Sequence, residues 1–202
     1  MSNSRVSILQ RVRQHQPTAE PLTDLKHDWV RYDDAQAKFI EMLESVGGQA
    51  VNVASISGAN TEIVKLIKRR DAGVVCNLVE GIDIAETEAE FVDLSQIDDA
   101  HDLANIDLAI LSVHFGVAEN GAVWLQEPRL NHRVLPFLTQ HLALVLPTSQ
   151  IVHNMHEAYE RMSFSEPTFG VFVSGPSKTA DIEQSLVIGA HGARSLTILL
   201  TS

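Results

Sequence analysis

The sequence of 202 residues contains a single cysteine, Cys76, and this scarcity excludes two kinds of chemistry. One cysteine cannot form a disulfide within the chain, and it cannot hold an iron–sulfur cluster, which needs several thiolates. Because Cys76 lies in the apolar run 73–76, we expect a buried thiol. The chain is therefore expected to work in a reducing compartment, the cytoplasm, without an iron–sulfur cluster. No other cofactor of its own is predicted.

Long apolar runs and an excess of basic residues are also missing. No stretch approaches the roughly 20 apolar residues of a membrane span, and the first residues lack the features of a signal peptide. The net charge of −11 repels phosphate backbones and anionic membranes, so neither nucleic acid nor membrane insertion is expected. The basic run Lys68-Arg69-Arg70 falls where a helix should end and would complement its dipole. A local basic pocket for a small anion remains compatible with this charge.

Hydrophobic spacing divides the chain into two parts. Residues 1–32 are expected to form a short helix and an extended connector that Trp29 and Tyr32 could anchor. Residues 33–202 are expected to form a single α/β domain. In it, the predicted helices cover residues 33–46, 60–69, 98–104, 134–139, 154–162 and 179–188. The predicted strands cover residues 50–54, 73–79, 107–114, 122–125, 142–146, 168–173 and 195–200.

Several predicted strands are continuously apolar, for example Leu142–Leu146 and Leu196–Leu200. Such runs are typical of strands that are covered on both faces. Helices between them favour a three-layer α/β fold, with a mostly parallel sheet and helices on both faces. The turn residues Glu119-Asn120-Gly121 between two apolar runs add one β-hairpin.

Ligands of open α/β sheets bind beyond the carboxyl ends of the strands. There the loop 174–179 is expected to end a strand and begin a helix, whose free amides favour an anion. Plain capping of this helix by Ser177 or Thr179 is the alternative. The predicted ligand-binding residues at this edge are Asn120, Gly175, Pro176, Ser177, Lys178, Thr179 and Asp181.

The hairpin turn presents Glu119 to the same edge of the sheet. A carboxylate there could act as a nucleophile or base, or it could be an ordinary exposed turn residue. His114 is either a proton-transfer partner or a core histidine.

His191 and Arg194 follow the predicted helix 179–188, which would rise ~15 Å and carry them to the edge opposite Ser177. We therefore expect them to have a structural or interface role. His153 and His156 share a helix face, but no third ligand stands nearby, so we predict no metal site.

The C-terminal block, Ser174–Glu183 followed by Leu186–Leu196, resembles the hallmark of the lactate-utilisation protein C family, whose members contain a LUD domain. The resemblance covers about residues 30–202 and implies an α/β fold like that of NagB, RpiA and the CoA-transferases. It also implies a place in a three-protein system that oxidises L-lactate to pyruvate. The two partner proteins would carry the iron–sulfur clusters, and this chain would be a non-redox accessory subunit that could bind a small carboxylate or phosphate.

The chain departs from the family pattern at the hairpin turn. Many members have Ala-Glu-Thr-Gly-Thr where this sequence has Ala118-Glu119-Asn120-Gly121-Ala122. The variant also resembles the Ser-Glu-Asn-Gly motif of CoA-transferases, in which the glutamate forms an acyl intermediate, although Ala118 replaces the serine. This second resemblance implies an alternative function, an acyl- or CoA-transferase-like enzyme with Glu119 as its nucleophile.

Overall fold

The computed structural model describes residues 2–21, 23, 27–127, 130, 132–162, 168–180 and 186–202. Its helices are α1 (Ser2–Gln14), α2 (Ala35–Ser45), α3 (Ile56–Arg70), α4 (Leu135–Leu138) and α5 (Met155–Arg161), with short 3₁₀ turns at Leu94–Gln96, Ala100–Asn105 and Thr148–Gln150. Its strands are β1 (Gln49–Val53), β2 (Val74–Asn77), β3 (Glu90–Phe91), β4 (Leu108–Ser112), β5 (Phe115–Val117), β6 (Ala122–Gln126), β7 (His141–Pro147), β8 (Ile151–Val152), β9 (Gly170–Val173), β10 (Lys178–Ala180), β11 (Leu186–Ile188) and β12 (Ser195–Thr201).

The centre of the fold is a parallel sheet of six strands in the order β1-β12-β7-β4-β2-β3. The pairing of β12 with β7 is the longest, from Ser195 opposite His141 to Thr201 opposite Pro147. The continuously apolar segment Leu142–Leu146 of β7 is buried along its whole length. The sequence-based prediction of covered parallel strands is therefore confirmed.

Both faces of the central sheet are covered. Helix α3 packs Ile63 and Leu66 into the apolar cluster on one face, which also contains Leu199 of β12. Helix α2 packs Phe39 and Leu43 into the larger cluster on the other face. This arrangement confirms the predicted class, an α/β fold with helices on both sides of a mostly parallel sheet.

The sequence did not predict a second sheet of four strands in the order β8-β5-β6-β9. The predicted strand 168–173 exists as β9, but β9 pairs antiparallel with β6 instead of joining the central sheet. Aromatic packing accompanies this pairing, because the rings of Trp124 and Phe172 lie 4.6 Å apart between centroids. Apolar periodicity identifies a strand, but it does not identify the neighbour with which that strand pairs.

The predicted helix at 179–188 is wrong at both of its ends, and residues 181–185 between them lie outside the described residues. Residues 178–180 and 186–188 are β10 and β11, which pair antiparallel, with Lys178 opposite Ile188. The β-branched side chains of Thr179, Val187 and Ile188 favour extended backbone. Val187 and Ile188 are also about half exposed, so they bury no helix face in the core.

Trp29 and Tyr32, which precede α2, both contact residues at or just before α5. The ring of Trp29 stacks on His156 of α5 with 3.5 Å between centroids. The backbone N–H of Tyr32 donates to His153 Nδ1 at 3.0 Å. Within the described part of the chain, no helix has the length and apolar character needed to cross a bilayer.

The hairpin between β5 and β6 turns directly against helix α2. The Asn120 side-chain oxygen accepts a hydrogen bond from the Ala122 amide at 3.0 Å, while Gly121 has a φ of +66°. A Cβ atom on Gly121 would lie 2.5 Å from the backbone nitrogen of Leu43. The turn therefore needs glycine both for its left-handed backbone and for its close approach to the helix.

The first prediction concerns Gly121. The substitution Gly121→Ala should lower the free energy of unfolding by about 2 kcal/mol, because it adds left-handed strain and a clash with backbone. Urea titration followed by circular dichroism measures this loss. Gly58→Ala, within α3, is the control. Its Cβ would make an ordinary 3.4 Å contact, and the change should stabilise the protein by roughly 0.5–1 kcal/mol. Equal stability of the two variants would contradict this account of the turn.

The second prediction concerns Cys76, which is fully buried in β2. Burial raises the pKa of its thiol to about 12, so the reactive thiolate is scarce near neutral pH. The folded protein should therefore react with a disulfide reagent at about pH 8 far more slowly than a small thiol does. Absorbance of the released thiolate measures the rate. The same protein in guanidinium should react fully, and a fast reaction of the native protein would disprove the burial.

Candidate functional site

Glu119 lies at the tip of the β5–β6 hairpin with an exposed side chain. Its Oε2 accepts a hydrogen bond from the Met155 amide at 2.8 Å, at the first turn of α5. Its own amide donates to the His153 carbonyl at 3.1 Å. The carboxylate thus ties the hairpin to α5. A nucleophilic role for Glu119 stays a prediction.

The turn at Glu119-Asn120-Gly121 and the loop that follows β9 are in direct contact. The Ser174 hydroxyl donates to the Asn120 carbonyl at 3.0 Å. Beyond Ser174, the loop passes closely over the C-terminal end of α2, where a Cβ on Gly175 would lie 2.5 Å from the Val46 carbonyl oxygen. The hairpin turn and the loop 174–179, which the sequence placed at one edge, are therefore in contact at Asn120 and Ser174.

The far end of this loop does not lie where the sequence predicted. The Ser177 amide donates to the Ala193 carbonyl at 2.8 Å, and Ala193 directly precedes β12. Ser177 and Lys178 therefore lie near the amino ends of central strands instead of the carboxyl ends. The physical reason is the pairing of β9 with β6, which takes the preceding strand out of the central sheet.

No helix begins at Ser177, so the expected anion site at a helix N-terminus has lost its structural basis. Lys178 and Thr179 belong to β10, where Thr179 pairs with Val187. The alternative, plain helix capping by Ser177 or Thr179, fails for the same reason. Asp181, another predicted ligand-binding residue, lies outside the described residues.

A cavity of about 300 Å³ opens beside this loop. We call it the Ser177–His191 cavity. Its polar side chains are those of Ser174, Ser177, Lys178 and His191, and its other lining residues are apolar. The lining residues that sequence analysis did not single out are Pro136, Phe137, Leu142, Phe172, Val173, Gly192 and Ala193. The lining does not include Glu119, so the hairpin carboxylate and the loop do not enclose a common pocket here.

The prediction that His191 lies at the edge opposite Ser177 is wrong. Because β11 pairs antiparallel with β10, residues 186–189 lie beside Ser177 and Lys178. The Gly189 amide donates to the Ser177 carbonyl at 2.9 Å. A Cβ on Gly192 would lie 3.0 Å from Ser177 Cβ. His191 thus joins Ser177 and Lys178 in one cavity. Arg194, the other residue predicted to be structural, is exposed just before β12.

The remaining histidines of the prediction have structural contacts. His153 accepts the Tyr32 amide and His156 stacks on Trp29, so both hold the connector on α5. His114 lies between β4 and β5, partly buried, and its backbone N–H donates to the Trp124 carbonyl. Among the residues that the structure describes, no group of three metal-binding side chains gathers.

Two further polar residues escaped sequence analysis. His141 begins β7 and Ser195 begins β12, and their side chains are 2.8 Å apart between Nδ1 and Oγ. Burial, and then the charges of Arg70 and Arg194, lower the pKa of His141. The residues lie 54 positions apart in the chain, and only the register of parallel strands brings them together.

The amino-acid sequence is similar to those of several known proteins. An uncharacterized protein from Neisseria meningitidis serogroup B is 39% identical over 102 residues, which are 47% of this chain and 42% of that protein. A lactate utilization protein C from Geobacillus thermodenitrificans is 34% identical over 101 residues, 46% of this chain and 41% of its own. The protein of that name from Oceanobacillus iheyensis is 28% identical over 100 residues, 46% and 43% of the two chains. The matched segments span less than half of these relatives.

A solved structure shares the fold. The crystal structure of a DUF162 family protein from Deinococcus radiodurans matches with a TM-score of 0.57, over 83% of this chain and 96% of that one. The sequence identity is 15%, so this likeness shows the fold alone. A family model extends the comparison to sequence, because the model of the LUD domain matches residues 36–201. That match covers α2 through β12, and the chain therefore belongs to the LUD domain family.

Proposed function

We propose that this protein acts in L-lactate oxidation as a non-redox accessory subunit. The observation that carries the proposal is its likeness to relatives that are named lactate utilization protein C, at 28% and 34% identity, within a family match over residues 36–201. Because the matched segments cover less than half of those relatives, the role of the whole system is transferred as a proposal.

The cysteine chemistry supports the non-redox part of the proposal. Lactate oxidation to pyruvate releases two electrons and two protons, and an acceptor must take the electrons. Cys76 is the one cysteine of the sequence, and it is fully buried with a raised thiol pKa. A cluster needs several thiolates. The electrons would therefore pass to partner proteins that carry iron–sulfur clusters, and this chain would assist them.

The Ser177–His191 cavity supports the proposal of a small anionic ligand, a carboxylate or phosphate. Its volume of about 300 Å³ lies at the small end of the range for ligand sites. Lys178 supplies a positive charge, the Ser177 hydroxyl and the His191 ring supply hydrogen bonds, and Phe137 and Phe172 supply apolar contact. Lactate and pyruvate combine one carboxylate with a methyl group, and this lining suits both parts.

The third prediction tests the accessory role. Deletion of the gene should abolish growth on L-lactate as the carbon source while growth on pyruvate stays normal, because pyruvate lies beyond the oxidation step. The purified chain should reduce no dye with L-lactate, whereas affinity purification from lactate-grown cells should recover protein with iron and acid-labile sulfide. A plasmid copy of the gene is the control. Unchanged growth of the deletion strain on lactate would refute the proposal.

The fourth prediction tests the cavity. Lys178→Met should weaken the binding of L-lactate or pyruvate about tenfold, because the variant loses a charge-assisted contact in the cavity. Lys65→Met is the matched control, since Lys65 lies on α3, where its ammonium pairs with Glu62 at 2.7 Å. Isothermal titration calorimetry measures both affinities. If both variants bind as the wild type does, the ligand does not occupy this cavity.

A further inference from the structure

A second group of polar side chains lies at the amino ends of β7 and β12, outside the Ser177–His191 cavity. His141 and Ser195 are direct partners in the pairing of these strands. His141 Nδ1 and Ser195 Oγ are 2.8 Å apart, and both residues are partly buried. An imidazole and a hydroxyl are therefore held side by side by the strands themselves, where a small molecule can still reach them.

Two arginines lie close enough to His141 for their charges to act on it. Arg70 is the last residue of α3, and Arg194 directly precedes Ser195. The Nε atom of Arg70 is buried and has no hydrogen-bond acceptor among the described residues. Buried donors of this kind are almost always paired. Neither guanidinium forms an ion pair with a carboxylate in the described part of the chain, so two positive charges stay uncompensated.

Gly189 and Asp107 are neighbours of these groups. A Cβ on Gly189 would lie 2.4 Å from Arg194 Cγ, so the glycine leaves room for the arginine side chain. Asp107 is the carboxylate that faces His141, but its Oδ2 already accepts hydrogen bonds from the amides of Gly73 and Val74, each at 2.9 Å. Asp107 therefore ties the amino end of β2 to that of β4. Among the described residues it forms no ion pair with either arginine.

The titration of His141 agrees with a positive local potential. Burial is the largest cause that lowers its pKa, the charges of Arg70 and Arg194 come next, and Asp107 opposes them with a smaller effect. The arginines thus outweigh the carboxylate at this point of an otherwise acidic protein. A bound anion would reverse the effect, because a negative charge favours the protonated imidazole.

We propose that Arg70, Arg194, His141 and Ser195 form a binding site for a small oxyanion, a phosphate or a carboxylate. Oxygen atoms of the anion accept hydrogen bonds from the guanidinium groups of Arg70 and Arg194 and from the Ser195 hydroxyl. Guanidinium groups match the planar, bidentate geometry of such anions. The site does not depend on the proposed role in lactate oxidation, since none of these four residues lines the Ser177–His191 cavity.

The fifth prediction uses the ring protons of His141 in nuclear magnetic resonance. Inorganic phosphate, added at constant ionic strength, should raise the pKa of His141 saturably, because the anion stabilises the imidazolium. The spectrum of His141→Gln assigns the resonance, and chloride in place of phosphate is the control. Acetate and L-lactate, titrated in parallel, distinguish a carboxylate site from a phosphate site. A saturable shift with any of these three oxyanions supports the proposal, and the absence of a shift with all three overturns it.

Variants identify the residues that bind. The double variant Arg70→Met, Arg194→Met should weaken the preferred anion by at least about tenfold, whereas Arg69→Met, one residue earlier on α3 and exposed, should leave the affinity unchanged. Ser195→Ala gives a second measurement if the double variant does not fold. Lys178→Met should keep the His141 response, which separates this site from the cavity. Equal affinity of wild type, double variant and Ser195→Ala would overturn the assignment.

Discussion

The pairing of β9 with β6 determines the position of the candidate site. Val123 to Gln126 lie opposite Val173 to Gly170, and Trp124 packs on Phe172 across the pair. This pairing holds β9 in the second sheet. The loop after β9 must then cross the end of α2 before the chain can enter β12. The Ser177–His191 cavity is formed where that crossing meets the amino end of β12.

The β5–β6 hairpin turn and the loop after β9 both pack against helix α2. Gly121 brings the hairpin turn onto the backbone of Leu43, and Gly175 brings the later loop onto the carbonyl of Val46. Both glycines have positive φ angles. Phe39 and Leu43 of α2 are fully buried, so the core fixes the helix on which both loops pack.

The charge of the molecule is distributed unevenly. A net charge of −11 disfavours polyanionic partners. At the amino ends of β7 and β12, however, Lys178, Arg70 and Arg194 have no partner carboxylate among the described residues. Asp107, the acid whose charge acts on His141, accepts hydrogen bonds from two backbone amides. Small anions can therefore bind locally to a chain that repels large ones.

The sequence by itself determined the fold class, most of the elements and the exclusion of a cluster. Continuous apolar runs such as Leu142–Leu146 predict covered parallel strands because their burial on two faces leaves a direct mark on composition. The turn Asn120-Gly121 predicts a hairpin because few residues accept its backbone angles. Strand burial and turn formation depend on short stretches of sequence. The exclusion of an iron–sulfur cluster follows from the number of cysteines, since Cys76 is the only one.

The tertiary structure alone decided the partners of the strands and the composition of the site. The segment 179–188 satisfied an apolar helical spacing, yet β10 and β11 pair there, and this returns His191 to Ser177. His141 and Ser195 meet only because β7 and β12 are neighbours in register. Strand pairing is a contact between distant residues whose energy depends on the whole packed sheet, so the order of amino acids within one segment does not reveal it.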